Sequence, residues 1–190
     1  MKIRSGYFWE GRLVRLRPMK IADAKLWLDE DVDSDAVRRL NYGITLPKSR
    51  PAAREFISRY AHFKHTEERI MFSIETLGGR LVGGINIHSM NRKSGTFQTG
   101  IRVYRQFRRR GYGEEAKRMV LRYCFNELRF QKYNVCCLET NQEEIRHLKR
   151  IGCKREGRRR REIYTNGRYY DELLFGMTKE EFEKNDNRRR

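Results

Sequence analysis

Two alternating stretches and one helical stretch dominate the apolar pattern in the middle of the chain. Arg80–His88 and Gly95–Tyr104 alternate with the period of a β-strand, and a polar turn at Asn91–Ser94 separates them. The segment Glu114–Leu128 instead repeats its apolar residues with helical spacing, at Ala116, Met119, Val120, Tyr123, Cys124 and Leu128. The pattern predicts a β-hairpin followed by an amphipathic helix.

The pattern continues with one more strand and one more helix. Tyr133–Thr140 is rich in β-forming residues and ends at Asn141, and Glu144–Ile151 has the spacing of a short helix. Gly152 is suited to end that helix because glycine readily adopts the left-handed conformation of a C-cap. The predicted order is therefore hairpin, turn, helix, strand, helix and a further strand.

A basic, glycine-containing turn, Arg108-Arg109-Arg110-Gly111-Tyr112-Gly113, lies between the hairpin and the first helix. Two glycines let the backbone turn sharply, so that its N–H groups and those of the following helix converge on one point. Such a point favours an anion, and a pyrophosphate fits it well. The arginines add forked donors suited to phosphate oxygens. The alternative interpretation is a solvated loop before a charged helix.

Together with this turn, further segments resemble the GNAT superfamily of acetyl-CoA-dependent N-acetyltransferases, most closely its RimJ/RimL-like branch. The resemblance extends from about Leu13 to Glu181. It rests on Leu13–Pro18 with Asp23, Leu81–Ile85, Arg108–Gly113, Asn141, Ile151–Gly157, Tyr164–Asp171 and the last apolar strand Leu173–Met177. Each piece alone is a weak signal, but their order along one chain is specific.

The resemblance implies an α+β fold. We expect a mixed, mainly antiparallel central sheet, flanked by helices on both faces and splayed where Thr96–Tyr104 and Tyr133–Thr140 run parallel. Two parallel neighbours need a crossover, and Glu114–Leu128 supplies it. Residues 1–181 are predicted to form a single domain, and residues 182–190 a basic, disordered tail.

Composition agrees with a single domain. The 190 residues are 38% apolar and 36% charged, and no run of eighteen apolar residues occurs. We therefore expect a cytoplasmic protein without membrane association. The four cysteines lack Cys-x-x-Cys spacing, so we interpret them as small buried apolar residues and expect no metal site.

The resemblance further implies acetyl transfer to a primary amine by direct attack in a ternary complex. A protein N-terminus, a polyamine and an aminoglycoside remain open as acceptors. Acetyl-CoA, as co-substrate, would contact the strand backbone that polarises its carbonyl, the pyrophosphate turn and the amide after the next strand. These residues are Ile101, Arg102, Val103, Arg108, Arg109, Arg110, Gly111, Tyr112, Gly113 and Asn141.

The catalytic groups cannot be carried over from the family pattern, because the sequence departs from that pattern at two positions. Gln98 stands where a glutamate is common, and Leu148 stands where a tyrosine acid is common. Substitute candidates are Glu139 or His88 as base, and Tyr164 or Tyr170 as a source of a hydroxyl. Asn141 is expected to fix a water or the pantetheine arm.

The net charge of +18 leaves a second hypothesis open. Basic residues cluster at Lys154–Arg161 and Arg188–Arg190 as well as around the turn. These clusters could bind RNA or another acidic partner, or they could simply form a solvated charged surface. The alternative function is a catalytically weak GNAT-like protein that binds RNA or ribosomes. Carboxylates crowd Asp29–Asp35, where they could attract a cationic amine or merely end a helix. A homodimer is also left open.

Overall fold

A seven-stranded sheet forms the centre of the protein, and helices pack against it. The computed structural model describes residues 6–63 and 67–187. The strands are β1 Val14–Pro18, β2 Arg69–Thr76, β3 Leu81–Asn91, β4 Thr96–Val103, β5 Lys132–Leu138, β6 Lys154–Thr165 and β7 Arg168–Thr178. The helices are α1 Ala24–Glu30, α2 Ser34–Asn41, α3 Arg50–Tyr60, α4 Tyr112–Arg122, α5 Gln142–Ile151 and α6 Lys179–Asn187.

The strand order is β1-β2-β3-β4-β5-β7-β6, and β4–β5 is the parallel pair. The predicted hairpin is confirmed as β3 and β4. The predicted splay is confirmed as well, because β4 and β5 pair only at Thr96 with Lys132 and at Phe97 with Tyr133. Beyond Phe97 the two strands separate and leave an opening in the sheet.

The two faces of the sheet carry different cores. Phe72 on β2 belongs to the larger cluster, with Val120 of α4 and Leu148 of α5, whereas its neighbour Met71 packs with Ile57 of α3. Successive strand residues point to opposite faces, so these clusters lie on opposite sides of the sheet. We call them the α4 face and the α3 face. The opening between β4 and β5 connects the two faces.

The crossover helix and the following short helix are close to their predicted positions. Helix α4 is continued by a π-helical turn at Tyr123–Glu127, so the predicted helix to Leu128 is regular only as far as Arg122. Gly152 ends α5 with a φ of 104°, which confirms its predicted C-cap role.

The C-terminal segment differs from the prediction. Residues 182–187, expected in a disordered tail, continue α6, and Phe182 is only 1% exposed in the larger core cluster. Asp186 accepts a hydrogen bond from Arg122 of α4 at 3.0 Å. The basic residues Arg188–Arg190 lie outside the described residues. Within the described ranges, no helix has both the length and the apolar character needed to cross a membrane.

Candidate active site

A cleft of about 1180 Å³ passes through the opening between β4 and β5. On the α3 face it is lined by side chains of α1, α2 and β2–β4, among them Trp27, Arg69 and His88. On the α4 face it is lined by the first residues of α4 and by α5, among them Gly113 and His147. The cleft therefore gives two different molecules access to one place from opposite faces.

The glycine turn forms the end of the cleft where α4 begins. Gly111 has a φ of 82° and occupies the N-cap position, where it has no side chain to cap the helix. The first N–H groups of a helix have no intrahelical partner, so this end favours an anion. The predicted cofactor residues that line the cleft here are Arg108, Arg109, Gly111, Tyr112 and Gly113. Arg110 is different, since its guanidinium lies over the Phe107 ring at 6.0 Å and does not line the cleft.

Strand β4 borders the opening with backbone that pairs with no strand on that side beyond Phe97, although Val103 O accepts a hydrogen bond from Arg108 Nε at 3.0 Å. The Tyr104 N–H donates to Val82 O on β3 at 2.9 Å. Because N–H directions alternate along a strand, the N–H groups of Ile101 and Val103 point away from β3, towards the opening. Ile101, Arg102 and Val103 all line the cleft, as expected for residues that contact a cofactor.

Two arginines predicted to bind the cofactor pair with the acidic segment between α1 and α2. Arg102 Nη1 lies 2.7 Å from Asp31 Oδ1, and its Nη2 donates to the backbone O of Glu30. Arg108 Nη2 lies 2.7 Å from Asp33 Oδ2. Asp31 and Asp33 are thus engaged with cations of the protein itself, which weakens the interpretation of this segment as an attractant for a cationic amine.

Asn141 and Glu139 lie near each other in the sequence but in different environments. Asn141 lines the cleft and caps α5, where its Oδ1 accepts the Glu144 N–H at 3.2 Å. The Glu139 carboxylate accepts the Asp171 N–H at 2.9 Å and is not among the residues that line the cleft. The geometry therefore gives no support to Glu139 as the base.

His88 lies in a row of three side chains across the α3 face. It is directly paired with Arg69 on β2 and with Gln98 on β4, so the three side chains point to the same side and line the cleft. Burial, together with the positive charges of Arg69 and Lys117, lowers the pKa of His88 to about 4. The imidazole is therefore neutral near pH 7, and the same shift makes it a weaker base than an ordinary histidine.

The candidate tyrosines lie away from the cleft. Tyr164 is 62% exposed on β6, and its ring lies 5.0 Å from the Tyr169 ring in a tilted contact. The Tyr170 hydroxyl accepts a hydrogen bond from Arg168 at 2.6 Å. The basic run on β6 is at the outer edge of the sheet, where Arg159 pairs with Glu172 at 2.9 Å. Neither group contributes to the site between β4 and β5.

His147, and not its neighbour Leu148, faces the cleft. Leu148, at the usual position of the family's tyrosine, is fully buried in the core and does not line the cleft. His147 does line it, and its Nε2 is buried without a hydrogen-bond partner among the described residues. Burial lowers the pKa of His147 to about 4, and the charge of Lys117 acts in the same direction.

A buried lysine was not anticipated from the sequence. Lys117 on α4 is fully buried, and its Nζ donates to the Tyr133 hydroxyl at 3.1 Å and lies 3.5 Å from Glu144 Oε1. Thr99 on β4 bonds the same hydroxyl at 2.9 Å. Burial by itself lowers the pKa of Lys117, but Tyr133 and Glu144 outweigh it and raise the pKa above its ordinary value. Helical spacing placed Lys117 three residues before Val120 and seven before Cys124, on the apolar face, which is the signal that could have found it.

Comparison with known proteins agrees with this geometry. Residues 13–154 match the family described as acetyltransferase (GNAT) domain. The SPbeta prophage-derived uncharacterized N-acetyltransferase YokL of Bacillus subtilis (strain 168) is 32% identical over 178 residues, which cover 94% of this chain and 97% of the relative.

Two crystal structures have the same fold. An acetyltransferase (GNAT family) from Bacillus anthracis has a TM-score of 0.77 and 22% identity, with 90% of this chain and 98% of that chain covered. Spermidine N-acetyltransferase from Vibrio cholerae, in complex with CoA and spermine, has a TM-score of 0.78 and 17% identity, with the same coverage of 90% and 98%. The family match and the shared fold lead to one conclusion: this chain belongs to the GNAT acetyltransferase family.

Proposed function

We propose that this protein transfers the acetyl group of acetyl-CoA to a primary amine in a ternary complex, as a member of the RimJ/RimL-like branch. One observation carries the proposal: the cleft passes through the sheet beside the uncapped N-terminus of α4. A cofactor approaching from the α4 face and an acceptor approaching from the α3 face meet at β4. That arrangement suits direct transfer, since it holds both reactants in one place.

The α4 face suits the cofactor. The N–H groups at the start of α4 and the charges of Arg108 and Arg109 would hold the pyrophosphate. The pantetheine arm would follow the free edge of β4, where the Ile101 and Val103 N–H groups are available to it and to the thioester carbonyl. Asn141 would contribute its amide from the opposite side of the opening. Acetyl-CoA supplies the acetyl thioester when bound.

The α3 face suits the acceptor amine. The amine must be neutral to attack, and a peptide N-terminus has an ordinary pKa of about 8. As the C–N bond forms and the C–S bond breaks, the nitrogen loses a proton. We assign His88 as the acceptor of that proton, because it is neutral near pH 7 and lines the cleft beside Gln98. The CoA thiolate can leave as an anion beside the positive end of α4, since thiols of this type have a pKa of about 8.5.

The test is thiol release from acetyl-CoA over a panel of peptides and small amines. We expect turnover with at least one peptide, and we expect His88→Gln to lower kcat about tenfold or more, within the range of a general base. His62→Gln, an exposed histidine outside the cleft, is the matched control and should keep the parent rate. An unchanged rate in His88→Gln, together with a loss of activity in Glu139→Gln, would indicate that Glu139 and not His88 accepts the proton. Absence of thiol release with every amine would reject the proposed reaction.

A further inference from the structure

The acceptor side of the cleft is positively charged. Among the described residues that line the cleft, nine are lysine or arginine and four are aspartate or glutamate. Four of the nine cations lie on the acceptor side: Arg39, Lys48, Arg69 and Arg102. Three of the four carboxylates, Glu114, Glu143 and Glu144, lie on α4 and α5, the side proposed for the cofactor. The fourth, Asp31, lies on the acceptor side and is held by Arg102 at 2.7 Å and by Lys48 at 2.9 Å. A polycationic acceptor would therefore find no uncommitted carboxylate among these residues.

On the acceptor side, Arg69 differs from Arg39, Lys48 and Arg102, each of which pairs with a carboxylate. It begins β2, is half-buried and lines the cleft, and no carboxylate of the described residues forms an ion pair with it. Its neighbour across the sheet, His88, is neutral near pH 7 because its pKa is lowered to about 4. A half-buried guanidinium without a carboxylate partner among the described residues has lost part of its hydration, so an anionic partner would be stabilising.

The position of Arg69 relative to the transfer site follows from the sheet. Arg69, His88 and Gln98 are paired residues on three adjacent strands. Adjacent strands lie about 4.8 Å apart, so the backbones of Arg69 and Gln98 are about 10 Å apart. An amine held near Gln98 would therefore bring groups a few bonds away from its nitrogen within reach of the Arg69 side chain.

We propose that Arg69 binds a carboxylate of the acceptor, so that the preferred acceptor is a peptide amino terminus with an acidic side chain in its first two residues. This inference rests on the proposed function, and it names the substrate class of that site. Bidentate hydrogen bonding from the guanidinium to a carboxylate would set the orientation of the peptide and place its amine beside His88 and Gln98. The same charge would disfavour polyamines and peptides with a lysine at that position.

The experiment compares C-terminally amidated peptides that differ only at the second residue, with glutamate, glutamine or lysine. Free glutamate and spermidine complete the panel, so that an amino acid, a peptide and a polycation are distinguished. Turnover is followed by thiol release, and binding of each peptide to CoA-loaded protein is followed by calorimetry at one fixed salt concentration. We expect at least a tenfold preference for the glutamate peptide over the lysine peptide in both measurements, and weak turnover of spermidine.

Variants assign the preference to Arg69. Arg69→Gln should reduce the preference to about twofold or less, and Arg69→Glu should reverse it towards the lysine peptide. Arg92→Gln removes the same charge from the exposed β3–β4 turn, where Arg92 pairs with Glu67, and should keep the parent preference.

A preference for the lysine peptide or spermidine in the parent protein, or a preference for glutamate that survives in Arg69→Gln, would overturn the inference. The binding measurement tests the role of Arg69 independently of whether acetyl transfer takes place. Charge-selective binding that depends on Arg69 but gives no thiol release would support the anion subsite and reject acetyl transfer. Thiol release without charge selectivity would support acetyl transfer and reject the anion subsite.

Discussion

Arg108 of the glycine turn and Asp33 of the α1–α2 segment form an ion pair of 2.7 Å at the edge of the cleft. Asp33 also caps α2, where its Oδ1 accepts the Ala36 N–H at 3.2 Å. Burial by itself raises the pKa of Asp33, but the Ala36 N–H and the Arg108 guanidinium outweigh burial and lower the pKa. One carboxylate thus stabilises a helix and partly neutralises an arginine proposed to meet phosphate.

Asp33→Asn separates these two roles. Asparagine caps a helix about as well as aspartate, so α2 should be kept, whereas the negative charge beside Arg108 is lost. We expect acetyl-CoA to bind about twofold to tenfold more tightly, measured by calorimetry at low salt, with the gain reduced at high salt. Asp35→Asn, an exposed change in the same helix, is the control and should leave affinity unchanged. Weaker binding in Asp33→Asn would mean that the pair positions Arg108 for the cofactor.

Replacing Gly111 tests the anion site directly. Its φ of 82° is costly for a β-branched residue, and a Cβ would lie 3.1 Å from Leu13 Cδ1. We expect Gly111→Val to weaken acetyl-CoA binding more than tenfold and to cost about 1–2 kcal/mol of stability, while the protein stays folded. Gly78→Ala, which meets only Thr76 Oγ1 at 3.8 Å, is the control. Parent-like affinity in Gly111→Val would argue against pyrophosphate binding at the start of α4.

Glu115 connects the start of α4 to the start of β1. Its carboxylate accepts the N–H groups of Arg12, Leu13 and Val14, each at 2.8 Å. Gly11 leaves the necessary space, because a Cβ there would lie 2.4 Å from Glu115 Cδ. Hydrogen bonds to a charged acceptor are among the stronger ones in proteins.

We therefore expect Glu115→Gln to lower the free energy of unfolding by about 1–3 kcal/mol, since the amide keeps one acceptor and brings a donor against backbone donors. Urea unfolding measures the change. Glu127→Gln, an exposed change after α4, should be neutral within about 0.5 kcal/mol. Equal stability of the two variants would show that water replaces the Glu115 contacts without loss.

Local patterns predicted much of the fold. Strand alternation gave the hairpin, and helical spacing with Gly152 gave α5, because these signals lie within a few residues of one another. Helix α6 was missed because Phe182 is the one large apolar residue in the charged segment Lys179–Asn187, and its burial depends on contact with Phe125 at a ring distance of 5.2 Å. The end of α4 was misjudged because apolar spacing does not distinguish a π-helical turn from an α-helix.

The sequence predicted residues of the candidate site only where they belong to a recognisable motif. The glycine turn and the β4 backbone, which the family resemblance singled out, both line the cleft, and their contact with a cofactor stays a prediction. The contacts of Glu115 and Lys117, and the position of Arg69 in the cleft, depend on which distant elements pack beside them, and no local pattern encodes that. Glu139 follows the last residue of β5, and its side chain is bound by the Asp171 N–H of β7, a contact that alternation along one strand cannot reveal.

The two cleft histidines should make stability depend on pH. The pKa of His147 and that of His88 are lowered to about 4 in the folded protein, from an ordinary value of 6.5 in the unfolded chain. Between these values the unfolded chain binds more protons, so stability falls as the pH is lowered from 6.5 towards 4. Buried carboxylates such as Asp23 and Glu75, whose pKa values are lowered, contribute mainly below about pH 4.5.

We therefore predict that His147→Gln flattens the dependence of the free energy of unfolding on pH between 6.5 and 4.5. The difference from the parent protein should grow to about 1–2 kcal/mol at the lower pH, because each pKa unit corresponds to about 1.4 kcal/mol. Urea unfolding at several pH values measures it, and His88→Gln should add a similar flattening, since the two residues lie on opposite faces of the sheet. His62→Gln is the exposed control and should keep the parent slope. A parent-like slope in both cleft variants would mean that the two imidazoles titrate in the folded protein as they do in the unfolded chain, so that burial does not lower their pKa values.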